Sequence, residues 1–228
     1  MRRVEALGRF AELMTRPADR VPLDEAAFCV AAVAQPGLDV DAQLARLDRL
    51  ATGVAPSTRA GLLSALFDTG RFAGNAVDYY DPRNSYLNQV IDRGLGIPIT
   101  LAVIAIEVGR RVDVPLDGVG MPGHFLVRDR RDPTTFVDVF HGGHLLDVDG
   151  CHGLFTLSMG RPAPWHDAYL APVAAATIVE RMISNLRLVF QRRNDREALR
   201  WVMRLRVRCP GATDEDRAEL NRLMADLN

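Results

Sequence analysis

The chain has 228 residues, 48% of them hydrophobic and 25% charged, with a formal net charge of -1. That composition excludes a mainly disordered chain and supplies a core that needs no disulfide or metal staple. The longest apolar stretch, Ile97 to Val108, is too short for a membrane span and carries Glu107, while Glu5, Arg9 and Glu12 interrupt any leader-like core, so the expected compartment is the cytoplasm, away from the membrane.

The first seventy residues read as helices: Leu7, Phe10, Ala11 and Met14 recur at helical spacing, followed by Asp24–Val33, Val40–Leu50 and, after Pro56-Ser57, Gly61–Phe67. Asp81-Pro82-Arg83-Asn84 reads as a turn, with Asn84 or Ser85 placed to cap a helix whose buried stripe is Leu87, Val90 and Ile91 and whose stop is Gly94 and Gly96. Ile97 to Val108 follows, with an early proline and a Gly109-Arg110-Arg111 exit; these favour a helix that is apolar nearly all round and therefore central. Short alternating runs at Gly118–Met121, His124–Arg128, Thr135–Val139 and His144–Leu146 predict a small antiparallel meander. Beyond Pro172 the pattern is helical again, near Ala174–Arg192, Asp195–Arg208 and Thr213–Leu227. The expected sections are therefore a helical one over 1–75, a mixed core over 76–170 and repeat-like helices over 171–228.

Between Arg181 and Arg208 nine arginines stand against Asp195 and Glu197 alone. Such a surface is either solvated or a docking face for a peptide or protein partner of acidic character; nucleic acid is not expected, because no aromatic interleaving or nucleic-acid motif accompanies the charge. All 28 basic residues are arginine, which excludes lysine Schiff bases, lysine general bases and a lysine-dependent phosphate loop. Cys29, Cys151 and Cys209 are widely spaced, form no CxxC pair and are expected to be reduced.

Thiol hydrolases and acyltransferases need a thiolate at a helix N-terminus, an imidazole as base, and a carboxylate or amide that fixes the imidazole. The order central helix, then His124, then Asp138 supplies the second and third groups but not the first. Thr100, at the helix start, is most simply an N-cap, and its hydroxyl would need His124 as base to react. Arg83, Asn84, Ser85 and Arg128 are candidate binding residues, and Arg83 suits bidentate contact with a carboxylate. His141, His144, Cys151 and His152 fall within twelve residues and form a weaker alternative, a metal site whose spacing matches no zinc module. No metal or other cofactor is otherwise expected.

Five ordered pieces resemble the SirB family of the transglutaminase-like (papain-like) superfamily: Asp81-Pro82-Arg83-Asn84-Ser85-Tyr86-Leu87, Gly96-Ile97-Pro98-Ile99-Thr100-Leu101, Pro122-Gly123-His124-Phe125-Leu126-Val127-Arg128, Phe136-Val137-Asp138 and Gly142-Gly143. The resemblance implies an α+β fold, with a central helix on a small antiparallel sheet, a helical N-terminal section and a C-terminal, tetratricopeptide-like helical hairpin. It also implies that His124 and Asp138 occupy the superfamily's histidine and aspartate positions, while Pro98-Ile99-Thr100 stands where the catalytic cysteine belongs. Val139 departs from the family, which usually has proline there. The expected function is that of a catalytically degenerate member, binding a peptide or protein partner. The alternative is a hydrolase or acyl/amide transferase that uses His124 and Asp138 without a cysteine nucleophile. Classical cysteine protease or transglutaminase chemistry is not expected.

Overall fold

The computed structural model describes residues 1–55 and 57–225; Pro56 and the end of the last expected helix, including Leu227, lie outside them. By internal contact the chain forms two compact units, each assembled from separate stretches of sequence. The first comprises Met1–Leu44, Tyr80–Asn88 and Ala174–Asn228, and the second Ala45–Tyr79 and Gln89–Val173. The three consecutive sections expected from the sequence are a different partition, since the first unit joins N-terminal and C-terminal helices.

In the first unit, α1 (Arg3–Leu13) buries Ala6, Leu7, Phe10 and Leu13, and α2 (Leu23–Ala34) is buried along nearly its whole length. The helix α3 (Val40–Ala51) begins here and ends in the second unit. Pro82–Ser85 forms a short 3-10 turn, capped by the Asp81 side chain accepting from Arg83 N–H at 2.9 Å. Asn84 and Ser85 lie inside a turn of their own, which Tyr86, in extended conformation, separates from the next helix.

The second unit holds the mixed core. Here α4 (Arg59–Leu63) runs into a π-helical turn, Ser64–Asp68, and β1 (Ala73–Gly74) pairs in parallel with β2 (Leu95–Gly96), which follows α5 (Leu87–Arg93), a helix whose first two residues belong to the first unit. The central helix is α6 (Pro98–Arg111), with Pro98 in its first turn and Leu101 to Ala105 fully buried. Glu107 is tolerated on this apolar helix because Arg110, at 2.8 Å, and Arg111, at 3.0 Å, neutralise it one turn on.

Five strands form one antiparallel sheet in the order β6-β5-β4-β3-β7: β3 (Leu116–Val119), β4 (Leu126–Asp129), β5 (Asp132–Asp138), β6 (His144–Leu146) and β7 (Pro172–Val173). A helix that the sequence pattern does not announce, α7 (Val148–Met159), follows β6, its N-terminus capped by Asp147 accepting from Gly150 N–H at 2.8 Å. It covers a cluster of Val119, Met121, Leu126, Phe136, Cys151, Phe155 and Leu170. The first unit also holds α8 (Ala175–Arg192), α9 (Arg196–Arg206) and α10 (Asp214–Ala225). Helices α8 and α9 form the expected hairpin, turning at Asn194 in left-handed conformation. The α+β architecture with a central helix, an antiparallel sheet and helical termini is thus as the sequence implies.

Candidate functional site

The site is built from two loops of the second unit. The first is the turn Pro122-Gly123, which delivers His124 two residues ahead of β4, not within the strand as its alternating run suggests. The second follows β5, whose last residue is Asp138. Gly142 and Gly143 carry φ of +74° and +80°, a backbone that favours glycine, and Gly143 N–H donates to Asp138 C=O at 2.9 Å. That closure folds the chain back so that His141, three residues on, returns to the Asp138 carboxylate.

Asp138 is the hub. Its Oδ1 accepts from His124 Nε2 at 2.9 Å and from the backbone N–H groups of Phe140 and His141 at 3.1 and 3.3 Å. Its Oδ2 accepts from His141 Nδ1 at 2.6 Å. The carboxyl of Asp138 is lowered from its usual value: burial pushes it up, but the bonds and charges of His124 and His141 outweigh that. The two imidazoles are stacked, with centroids 5.8 Å apart and planes within 16°. The Phe140 ring stands edge-on to both, at 6.2 Å from His124 and 5.1 Å from His141. Burial is graded: the side chains of His124 and Asp138 are 7% and 4% exposed, that of His141 58%. Beside this loop, Gly74 leaves no room for a side chain, since a Cβ there would lie 2.5 Å from Phe140 C=O, and Tyr79 meets the Phe140 ring edge-on at 5.9 Å.

A family model described as transglutaminase-like superfamily matches residues 38–184. The chain belongs to the transglutaminase-like superfamily. Among similar proteins are the UPF0162 protein of Xylella fastidiosa, 46% identical over 139 residues (59% of this chain, 50% of the relative), and that of Pseudomonas aeruginosa, 32% identical over 179 residues (72% and 63%). Mouse F-box only protein 21 is 32% identical over 130 residues, 53% of this chain and 20% of its own length. The chain spans about half the length of the Xylella relative it matches. No solved structure matches it.

Against the superfamily pattern, the start of α6 carries no thiol. The N-cap is Ile97, not Thr100: Pro98 opens the helix, and Thr100 sits in its first turn, fully buried. The Thr100 hydroxyl accepts from Ile97 N–H at 3.2 Å and donates to Ile97 C=O at 3.1 Å, so it ties down the helix start. Cys29, Cys151 and Cys209 are all buried, and burial pushes each thiol up to about 12, with the Asp147 and Asp138 carboxylates adding to the effect at Cys151.

The other candidates are placed as follows. Arg83, Asn84 and Ser85 belong to the first unit, where Arg83 forms an ion pair with Asp81 at 2.6 Å. Arg128, on β4, reaches Asp117 at 3.4 Å, and its buried Nε has no hydrogen-bond partner among the described residues. The quartet His141, His144, Cys151 and His152 is not brought together among the described residues. The Asp147 cap starts α7 so that Cys151 turns into the apolar cluster, while His152 packs against Trp165 at 5.1 Å. His141 instead joins His124 and Asp138. Its Asp-x-x-His spacing ahead of Gly142-Gly143 is the sequence signal for that partnership.

Proposed function

We propose that this domain works without thiol chemistry, as a degenerate transglutaminase-like module that binds an apolar segment of a peptide or protein partner. The observation that carries the reading is the separation of parts: the His124–Asp138 pair is kept, whereas every cysteine is buried, with its thiol raised to about 12. Exposed apolar side chains beside the site loop supply the contact surface. Val77 is fully exposed and Tyr79 about a third, and their segment runs past Phe140. Embedding of a similar region within the longer F-box only protein 21 supports a module used inside other chains. In the first unit, Arg187 and Arg206 are paired with Asp216, Glu219 and Glu180 on neighbouring helices, which favours the site loop over the arginines of α8 and α9 as the partner's seat. Within the superfamily, the ordered motifs favour the SirB family and a tetratricopeptide-like role for the C-terminal hairpin. Three buried cysteines outside any disulfide suit a reducing, cytoplasmic setting.

The test is a peptide array probed with the full chain. Wild type should retain a subset rich in apolar residues, and Val77→Asp with Tyr79→Ala should abolish retention. Retention unchanged by both substitutions, or peptide turnover abolished by iodoacetamide, overturns the reading.

A second reading is favoured by one observation, the exposed second imidazole on the Asp138 carboxylate. In it, the pair acts as acid–base catalyst on water or on a substrate nucleophile, with Asp138 fixing the rings. Its mark is hydrolytic or acyl-transfer turnover that survives thiol alkylation and disappears in His124→Ala.

A further inference from the structure

His124, Asp138 and His141 are a cluster of ligating groups whose ligand atoms all lie within 4.8 Å of one another. The nitrogens face different carboxylate oxygens, at 2.9 Å for His124 Nε2 and 2.6 Å for His141 Nδ1. Tetrahedral zinc, with bonds of about 2.0–2.1 Å, sets neighbouring ligand atoms roughly 3.3 Å apart. The two nitrogen–oxygen separations fall short of that value and the outer limit of the cluster exceeds it, so a modest outward shift of one ligand opens the seat. His141 is the ligand built to move: its ring is 58% exposed and it precedes the two-glycine turn, whereas His124 and Asp138 are buried.

The geometry points to a mononuclear zinc site in which His124 Nε2, Asp138 and His141 Nδ1 bind the ion, with the fourth position open to water on the His141 side. Three features besides proximity support it. The closed end and the open end are distinct, as in zinc sites that keep one position for water or substrate. The carboxylate is oriented by two backbone N–H groups, the hydrogen-bonded outer support that a ligating carboxylate takes, and both rings pack edge-on against Phe140. Two imidazole nitrogens with one carboxylate oxygen suit a borderline transition ion, while magnesium and calcium take oxygen shells. This set shares only His141 with the quartet His141, His144, Cys151 and His152, and it stands whether or not the domain binds a peptide.

Calorimetric titration of chelator-treated, dialysed full-length chain with zinc chloride tests the site, with cobalt(II) as a spectroscopic stand-in. One ion should bind per chain, and His141→Ala and Asp138→Asn should each weaken binding at least about tenfold. His144→Ala and His152→Ala should bind as wild type does. Cobalt should give the intense visible bands of a four-coordinate site, and these should vanish in His141→Ala. Because His141 is exposed, that variant keeps its fold and decides the question if Asp138→Asn unfolds, which circular dichroism shows. Absence of stoichiometric binding, or binding that His141→Ala leaves unchanged, overturns the proposal.

Discussion

Two buried aspartates, one in each unit, hold their charge by different means. Asp216 in α10 and Asp138 at the end of β5 are 4% and 3% exposed, and both carboxyls lie below their usual value. Asp216 accepts from Arg206 Nε at 2.9 Å, from Arg187 at 3.2 Å and from Thr213 N–H at 3.0 Å. Burial raises its pKa, and the Thr213 backbone bond and Arg206 charge more than reverse this. Asp138 is held instead by two imidazoles and two backbone N–H groups. A guanidinium is charged at every accessible pH and offers only donors, so the Asp216 network is a permanent latch between α10 and the hairpin. An imidazole can hand its ring nitrogen to a proton, a metal or a substrate, so the Asp138 network can exchange partners. The same acid thus serves architecture in one unit and an exchangeable cluster in the other.

Removing each acid separates the two networks most directly. Asp216→Ala takes one carboxylate from two guanidinium groups, of which Arg206, only 15% exposed, keeps Glu180 at 3.4 Å and Arg187 keeps Glu219. A loss of about 3 kcal/mol is expected, the low end for breaking a buried pair because both guanidinium groups keep a second carboxylate and Arg187 is a third exposed. Urea unfolding should show a lower midpoint at unchanged slope. Asp138→Ala should cost less, about 2 kcal/mol, because it orphans the buried His124 nitrogen and two backbone N–H groups but no permanent charge. If Asp138→Ala proved the more damaging, the division between latch and exchangeable site would be lost.

Acidification sharpens the same contrast. Both aspartates have folded-state pKa values below their unfolded ones, so each contributes stability that is complete above the unfolded value, about 3.9, and is lost as pH falls through the folded value. Between those limits the unfolded chain binds more protons, and stability declines. Urea midpoints measured from about pH 6 to pH 2 should therefore fall more steeply for wild type than for Asp138→Asn or Asp216→Asn. Parallel curves would show that neither carboxyl is held down by its partners.

How much of the molecule is legible in the sequence depends on the residue. The central helix is legible because proline opens it, Gly109-Arg110-Arg111 follows its apolar run, and the run is too long for a strand. Strand β6 and the α8–α9 hairpin are legible from their punctuation. Helix α7 is not: Gly150 and Gly153 weaken its helical propensity, and its first residues suggest metal-ligand spacing rather than an Asp147 cap followed by a helix. For the site, His124 and Asp138 are legible as a pair. His141 is legible as a ligand type, and its partnership with Asp138 is marked only by the Asp-x-x-His spacing ahead of two glycines, whose left-handed backbone reverses the chain. Thr100 reads as an N-cap yet lies three positions inside the helix, because the N-cap is Ile97, a residue with no capping side chain, and Thr100 completes the bond from within the first turn.

The smallest effect on stability is expected where the effect on ligand binding is largest. His141→Ala removes a hydrogen bond to Asp138 Oδ2, but its ring is 58% exposed and Oδ1 keeps its bonds to His124 and the backbone N–H groups. Loss of one partly solvated hydrogen bond should lower stability by about 0.5 kcal/mol or less, within the range of ordinary surface substitutions. His124→Ala, by contrast, empties a buried position and leaves Asp138 without its inner imidazole, so its midpoint should fall well below that of His141→Ala. Equal unfolding midpoints for the two variants would mean that the inner and outer rings are energetically alike, against their 7% and 58% exposure.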